Sequence, residues 1–281
     1  MNIYISMDME GLAGTFNWEQ EAGPDRKLIR KAMEDQLQWV IEGIQQSSVD
    51  SQVREITVAD SHGMGDTVTY AMTEKDERLH LISGCPRPEY MMPAMTRDYD
   101  HVFLLGYHGA AGSRAASMDH TYSSRSIARL ELNGKAMTEA QINAIYAGHL
   151  GIPVTLITGD EALRRQLQED EALKETTFVV TKEAIARFTC KSRPQAKVRQ
   201  ETIDGVKKVL QGAKENYKPY ALKGPYEMKI TLTASSKADI VQLMPSVERL
   251  DAKTVRLVHD DYEKVFNAIM AVAILASRGR I

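Results

Sequence analysis

The chain has 281 residues, enough for one large α/β unit, and at 43% hydrophobic it holds enough apolar side chain for a sizeable core. With 35 Lys and Arg against 38 Asp and Glu the formal charge is -3, which leaves no cationic surplus for nucleic acid or an anionic membrane. The longest apolar stretch, Ala268 to Ala276, is too short to cross a bilayer, and the first residues carry no leader pattern.

Cys85 and Cys190 are far apart and form no Cys-x-x-Cys pair, so the expectation is a cytoplasmic, reducing setting without a structural zinc cage. Short β-rich runs then alternate with helical patterns, the signature of parallel βαβ units. Ile3 to Met7 reads as a first strand. Pro24 to Gln46 reads as a helix, with Leu28, Ala32, Leu37, Val40, Ile41 and Ile44 along one face. Strands follow at Glu55–Ala59, Leu79–Ser83 and His101–Leu105. Asn133-Gly134 after Arg129–Leu132 marks a hairpin turn.

Thr138–Leu150 is the next predicted helix, then a strand at Val154–Thr158, a helix at Glu161–Leu173 and a strand at Phe178–Thr181. Gln195–Gln211 reads as helical, and Lys218–Pro225, with two prolines, resembles a boundary. Strands at Met228–Thr233 and Thr254–Val258 precede a closing helix over Tyr262–Ser277. The expected architecture is a layered α/β/α core with a largely parallel sheet and a smaller C-terminal α+β portion. Residues 1–190 would form the catalytic core and 191–281 a subdomain packed on it, or the two one continuous domain.

In open α/β sheets the ligand crevice lies beyond the carboxyl ends of the strands. Asp8 and Glu10 follow the first strand, Asp60, Ser61 and His62 the second, and Tyr107 and His108 the fourth. Asp8 and Glu10 are two apart, so in extended backbone their side chains leave on one side, where they repel unless a positive charge intervenes. Mixed carboxylate and imidazole donors at neighbouring strand ends suit zinc or manganese better than calcium. The plainer reading makes Asp8 a loop cap and Glu10 a solvated acid, but His62 and His108 at neighbouring strand ends favour the metal.

His80, His101, His149 and His259 lack an acidic companion at a strand end and are assigned to surface or core. His120 lies just past the Gly, Ala and Ser-rich segment Gly109–Ser117, where a loop histidine can serve as base, acid or nucleophile, or simply be solvated. Glu139, second in its predicted helix, suits the positive helix N-terminus, and spacing alone gives it no metal role.

The string Ser6-Met7-Asp8-Met9-Glu10-Gly11 resembles the Ser-x-Asp-x-Glu-Gly signature of the DppA-type zinc-dependent D-aminopeptidase family. The likeness continues through Asp60-Ser61-His62, Leu105-Gly106-Tyr107-His108, Met118-Asp119-His120, Glu139 with Asn143-Ala144, and Leu243-Met244-Pro245, so it spans essentially the whole chain. The resemblance implies a metallo-aminopeptidase with two zinc ions per subunit. Asp8 would bridge them, Glu10 and His62 would complete one coordination set, and His108 and Glu139 the other. It implies His120 as the catalytic histidine, short peptides with N-terminal D-amino acids as substrates, and a decameric ring of identical subunits. The chain departs from the family in having Thr138 where glycine is usual before the ligand glutamate, and in a slightly longer loop between His108 and His120.

Two other readings share these residues. A haloacid-dehalogenase-type phosphohydrolase would use Asp8 as nucleophile, with Thr158-Gly159-Asp160 as its later acidic motif. Glu10, Leu12 and Arg164 stand where that family has Asp, Thr and a further Asp, and that mechanism leaves His62 and His108 unused. A non-catalytic, metal-stabilised peptide-binding protein would keep the ligands and dispense with His120.

Overall fold

The computed structural model describes residues 1–278. In chain order the strands and α-helices are β1 (Asn2–Met7), α1 (Arg26–Gln45), β2 (Glu55–Asp60), β3 (Leu79–Ile82), β4 (His101–Tyr107), β5 (Ile127–Leu132) and β6 (Lys135–Ala136). Then come α2 (Glu139–His149), β7 (Val154–Asp160), α3 (Glu161–Glu169), β8 (Thr177–Ala186), β9 (Thr189–Ser192) and α4 (Gln195–Gln211). The chain closes with β10 (Tyr226–Leu232), α5 (Ser235–Val241), β11 (Glu248–Arg249), β12 (Thr254–His259) and α6 (Tyr262–Ser277).

The larger sheet has the order β3-β2-β1-β4-β7-β8-β9, parallel except for β9, which returns antiparallel to β8. Its central strands are covered on both faces and therefore read as unbroken apolar runs, with every residue of β4 buried. On one face α1 packs against α4 so closely that a Cβ on Gly43 would stand 2.7 Å from Val206 Cβ. The opposite face carries α2, buried on nearly every side because α6 lies over it, where Tyr262 Oη donates to Ile142 O. A second, antiparallel sheet of order β11-β12-β10-β5-β6 shares that apolar layer. The α/β/α core with a smaller α+β portion is thus present.

The smaller sheet draws β5 and β6 from before residue 190, while α4, from after it, packs on α1 of the larger layer. The chain crosses between the layers more than once. Among the described residues no helix is long and apolar enough to cross a membrane.

Most predicted elements match to within a few residues, and the differences have local causes. The helix predicted to reach Leu173 stops at Glu169, because Glu171 and Leu173 both take positive φ and Ala172 N bonds back to Leu167 O. The strand predicted over Phe178–Thr181 runs on to Ala186 and folds back as β9, a projecting hairpin with little apolar alternation to announce it.

His101 is buried at the start of β4 beside Phe103 and Tyr217, and burial pushes its imidazole down to about 4 from an ordinary 6.5. The unfolded chain therefore takes up a proton that the folded chain refuses, so stability falls as pH drops from about 6.5 to about 4. His101→Gln should remove up to about 3 kcal/mol of this acid sensitivity, seen as a flatter stability profile in urea melts across that window. Parallel acid limbs for the two proteins would count against it.

Candidate metal centre

The centre forms where the sheet order turns, between β1 and β4, and two glycines make the approach possible. Asp8 N donates to Leu105 O at 2.8 Å and Gly11 N to Gly106 O at 2.7 Å, so the segment leaving β1 lies directly on the end of β4. A Cβ on Gly11 would stand 1.8 Å from Tyr107 O, and one on Gly106, at φ +76°, would stand 2.1 Å from Asp8 O. This contact sets Asp8 and Glu10 beside His108. Next door, the end of β2 carries His62 toward the same point.

Asp8 and Glu10 are almost wholly buried, and one ring nitrogen of His62 faces both. Its Nδ1 lies 3.1 Å from Asp8 Oδ1 and 3.0 Å from Glu10 Oε2. On the other side His108 Nε2 lies 3.4 Å from Asp8 Oδ2 and 3.6 Å from Glu139 Oε2. Asp8 thus stands between two sets, with Glu10 and His62 on one side and His108 and Glu139 on the other. Thr138 caps α2 in a reciprocal pair with Gln141 and so starts the helix where Glu139 enters the cluster.

Whether the cluster suits a metal can be judged from its unused lone pairs. Asp8 Oδ2, Glu10 Oε2 and His108 Nε2 are buried without a hydrogen-bond partner. Such groups are costly unless something completes them, and a divalent ion does so with this donor set. His108 Nδ1 donates to Gly109 O at 2.9 Å, which fixes the tautomer that leaves Nε2 free to ligate. His62 Nε2 lies 3.2 Å from Glu21 Oε2, so an outer carboxylate stands behind this ring, as is usual for an imidazole that holds a metal.

The electrostatics of these side chains follow from crowding. Burial, and then the Glu10 charge, push the Asp8 carboxyl up. Burial raises Glu10 too, but the facing His62 overrides it and holds that carboxyl well below its ordinary range. Burial would lower His62 and His108, yet Glu10 and Glu139 respectively hold their imidazoles well above the usual value. Glu139 is held low against burial by His108 and His120. Positive charge on His62 and His108 thus offsets the crowded carboxylates, the part a divalent cation would also play.

His120 enters over the top. Its ring stacks on His108 at 4.4 Å between centroids and 7° between planes, and its Nε2 lies 3.7 Å from Glu10 Oε1 and 3.6 Å from Glu139 Oε1. Nδ1 lies 3.0 Å from Met118 O, so it carries the proton and Nε2 presents its lone pair to the cluster. The loop bearing it is tied to the β8–β9 hairpin through Met118 N to Arg187 O and an Arg187–Asp119 ion pair. His120 is therefore no solvated loop residue.

Several contributors escaped sequence reasoning. Trp18 Nε1 donates to Glu10 Oε1 at 2.7 Å, and its ring meets those of His120 and Phe188 edge-on. The Asn17–Gln20 capping box that builds its short 3-10 turn is the signal that was readable. Two buried cations hold the ligand loops by their carbonyls. Arg87 donates to Ser61 O, Gly63 O, Gly84 O and Tyr90 O around His62. Lys182, which burial pulls down to about 8, donates to Glu10 O, Thr15 O and Thr15 Oγ1.

The remaining sequence-singled residues lie elsewhere. Asp60 accepts from Thr67 N and Val68 N, and Asp160 caps α3. Leu243-Met244-Pro245 forms the turn between α5 and β11. Among the four histidines assigned to surface or core, His80 is exposed on β3 and His101 is buried in the core.

A family model described as D-aminopeptidase, of the peptidase M55 class, matches residues 1–271. The chain belongs to the D-aminopeptidase family. Among its relatives is the D-aminopeptidase of Bacillus subtilis (strain 168), 26% identical over 287 residues that cover 99% of this chain and 98% of that protein. The solved structure of DppA from Bacillus subtilis, described as a Zn-dependent D-aminopeptidase and a self-compartmentalizing protease, superposes with a TM-score of 0.89 at 24% identity over the full length of both chains. The phosphohydrolase reading falls away with this D-aminopeptidase membership, as does any need to leave His62 and His108 idle.

Beneath the cluster, Tyr107 Oη joins Ser6 Oγ at 2.7 Å and accepts from Asn143 Nδ2 at 2.9 Å, all three side chains buried. Tyr107→Phe should strand these partners and lower stability by about 1–3 kcal/mol in denaturant melts. An unchanged midpoint would show that the network carries no net stability.

Proposed function

We propose that this chain is a zinc-dependent aminopeptidase that removes the N-terminal residue, of D configuration, from short peptides. The observation that carries this reading is the convergence of Asp8, Glu10, His62, His108 and Glu139, among which Asp8 Oδ2, Glu10 Oε2 and His108 Nε2 are buried without a hydrogen-bond partner. Asp8 would be shared between two zinc ions, Glu10 and His62 Nδ1 holding one and His108 Nε2 and Glu139 the other. The chemistry zinc supplies when bound is Lewis acidity toward the peptide carbonyl and the attacking water.

The protein's own part begins with His120. With Nδ1 committed to Met118 O, its Nε2 is the only ring nitrogen available to accept a proton, and it stands at the edge of both ligand sets. We assign it as the base that takes the proton from water and returns it to the leaving amine. Trp18 fixes the Glu10 rotamer, and Tyr122 N fixes Glu139 by donating to its Oε1. The cleft they line has a volume of about 310 Å3, within the range of small-ligand sites and enough for a short peptide. A ring of identical subunits accords with the exposed Ile185 and Phe188 on the β8–β9 hairpin, and sedimentation as a monomer would remove that part.

Dialysis against a chelator should abolish release of free D-amino acid from D-peptides, and about two equivalents of zinc per chain should restore it. The same zinc should raise the melting temperature, because it binds the folded chain alone. His120→Ala should keep both zinc ions by metal analysis and lose at least about 100-fold in kcat. Full turnover by that variant would remove His120 from the chemistry, and metal binding without turnover by the wild type would favour a peptide-binding protein.

A further inference from the structure

We propose that Arg125 binds the free C-terminal carboxylate of the substrate and so restricts this site to short, unblocked peptides; the proposal rests on the aminopeptidase reading above. The cleft is strongly polarised. Asp8, Glu10, Glu21 and Glu139 line it, and among the described residues lining it Arg125 is the one Lys or Arg. A peptide of a few residues is itself a dipole, an ammonium at one end and a carboxylate at the other. With its amino end at the proposed zinc site, where the N-terminal bond is cut, its acid end is left to meet the guanidinium.

Two further features mark Arg125 as a recognition group. Its main chain is fixed while its side chain is not. Ser126 N and Ile127 N both donate to Ser123 O, and Thr233 Oγ1 donates to Arg125 O at 2.8 Å. The guanidinium itself, by contrast, makes no hydrogen bond or ion pair among the described residues, whereas Arg78, Arg193 and Arg249 are each spent on a carboxylate. Arg125 also stands only three residues after Tyr122, whose N–H holds Glu139, so one short segment contributes both residues to the cleft lining.

The positive charge at that end is reinforced. Arg125 also lines an adjoining cavity of about 690 Å3, together with Lys237 and several hydroxyl side chains. An arginine fork matches a carboxylate with two parallel hydrogen bonds, which a blocked or amidated terminus does not offer.

The test compares D-alanyl-D-alanine with D-alanyl-D-alaninamide as substrates for the zinc-loaded wild type, Arg125→Met and Arg125→Lys. Arg125→Met should raise KM for the free acid about tenfold or more while changing kcat little, and the penalty on the amide should be several-fold smaller. Arg125→Lys, which keeps the charge and loses the fork, should fall between. Calorimetric binding of the dipeptide to His120→Ala, with and without Arg125→Met, should show the same loss in Kd without turnover. Equal penalties on acid and amide, or none, with wild-type turnover intact, would overturn the role of Arg125 and leave the aminopeptidase reading standing. Failure of the wild type to release D-alanine from either substrate would instead overturn that reading and this proposal with it.

Discussion

The structure is organised around a buried concentration of negative charge. Asp8, Glu10 and Glu139 lose their water together within a few ångströms, and three imidazoles close the space between them. Such a cluster is tolerable only when every carboxylate faces a proton or a cation. That requirement fixes what surrounds it. Each imidazole has one nitrogen turned toward the carboxylates, and a backbone carbonyl or an outer acid stands at the other nitrogen.

The sheet supplies the geometry that makes this possible. At the turn in strand order between β1 and β4, neighbouring connections leave in opposite directions and open a crevice. Three parallel strand ends deliver Asp8, His62 and His108 there, and α2 brings a fourth element through Glu139. The smaller sheet contributes no ligand to this set. It covers α2 and α6 with apolar side chains, so the helix carrying Glu139 is held from its far side.

Much of this was legible because strand ends leave local traces. Asp8, Glu10, His62 and His108 each follow an apolar run, and parallel order alone brings such residues to one edge. Glu139 was legible only by resemblance. A glutamate at a helix start has an adequate local explanation, and nothing in its neighbours states that the helix points into the cluster. Glu21, Arg87 and Lys182 were not legible, because each reaches the centre across a large sequence separation, while Trp18, only eight residues from Glu10, lies in a short 3-10 turn with no apolar periodicity to mark it. Lys182, for example, meets Glu10 and Thr15 from the far side of the sheet through a strand read as ending at Thr181. The hairpin of β8 and β9 was missed for a related reason: its residues are exposed and follow no two-residue apolar rhythm.

Arg87 and Lys182 act on the ligand loops without touching a ligand carboxylate. Their charges are spent on backbone carbonyls, so the loops keep their shape whatever occupies the centre between them. A scaffold of this kind separates the architecture of the site from its contents. Ions held there would meet a framework already tied by protein groups, and selection among them would rest on donor chemistry rather than on the cost of refolding.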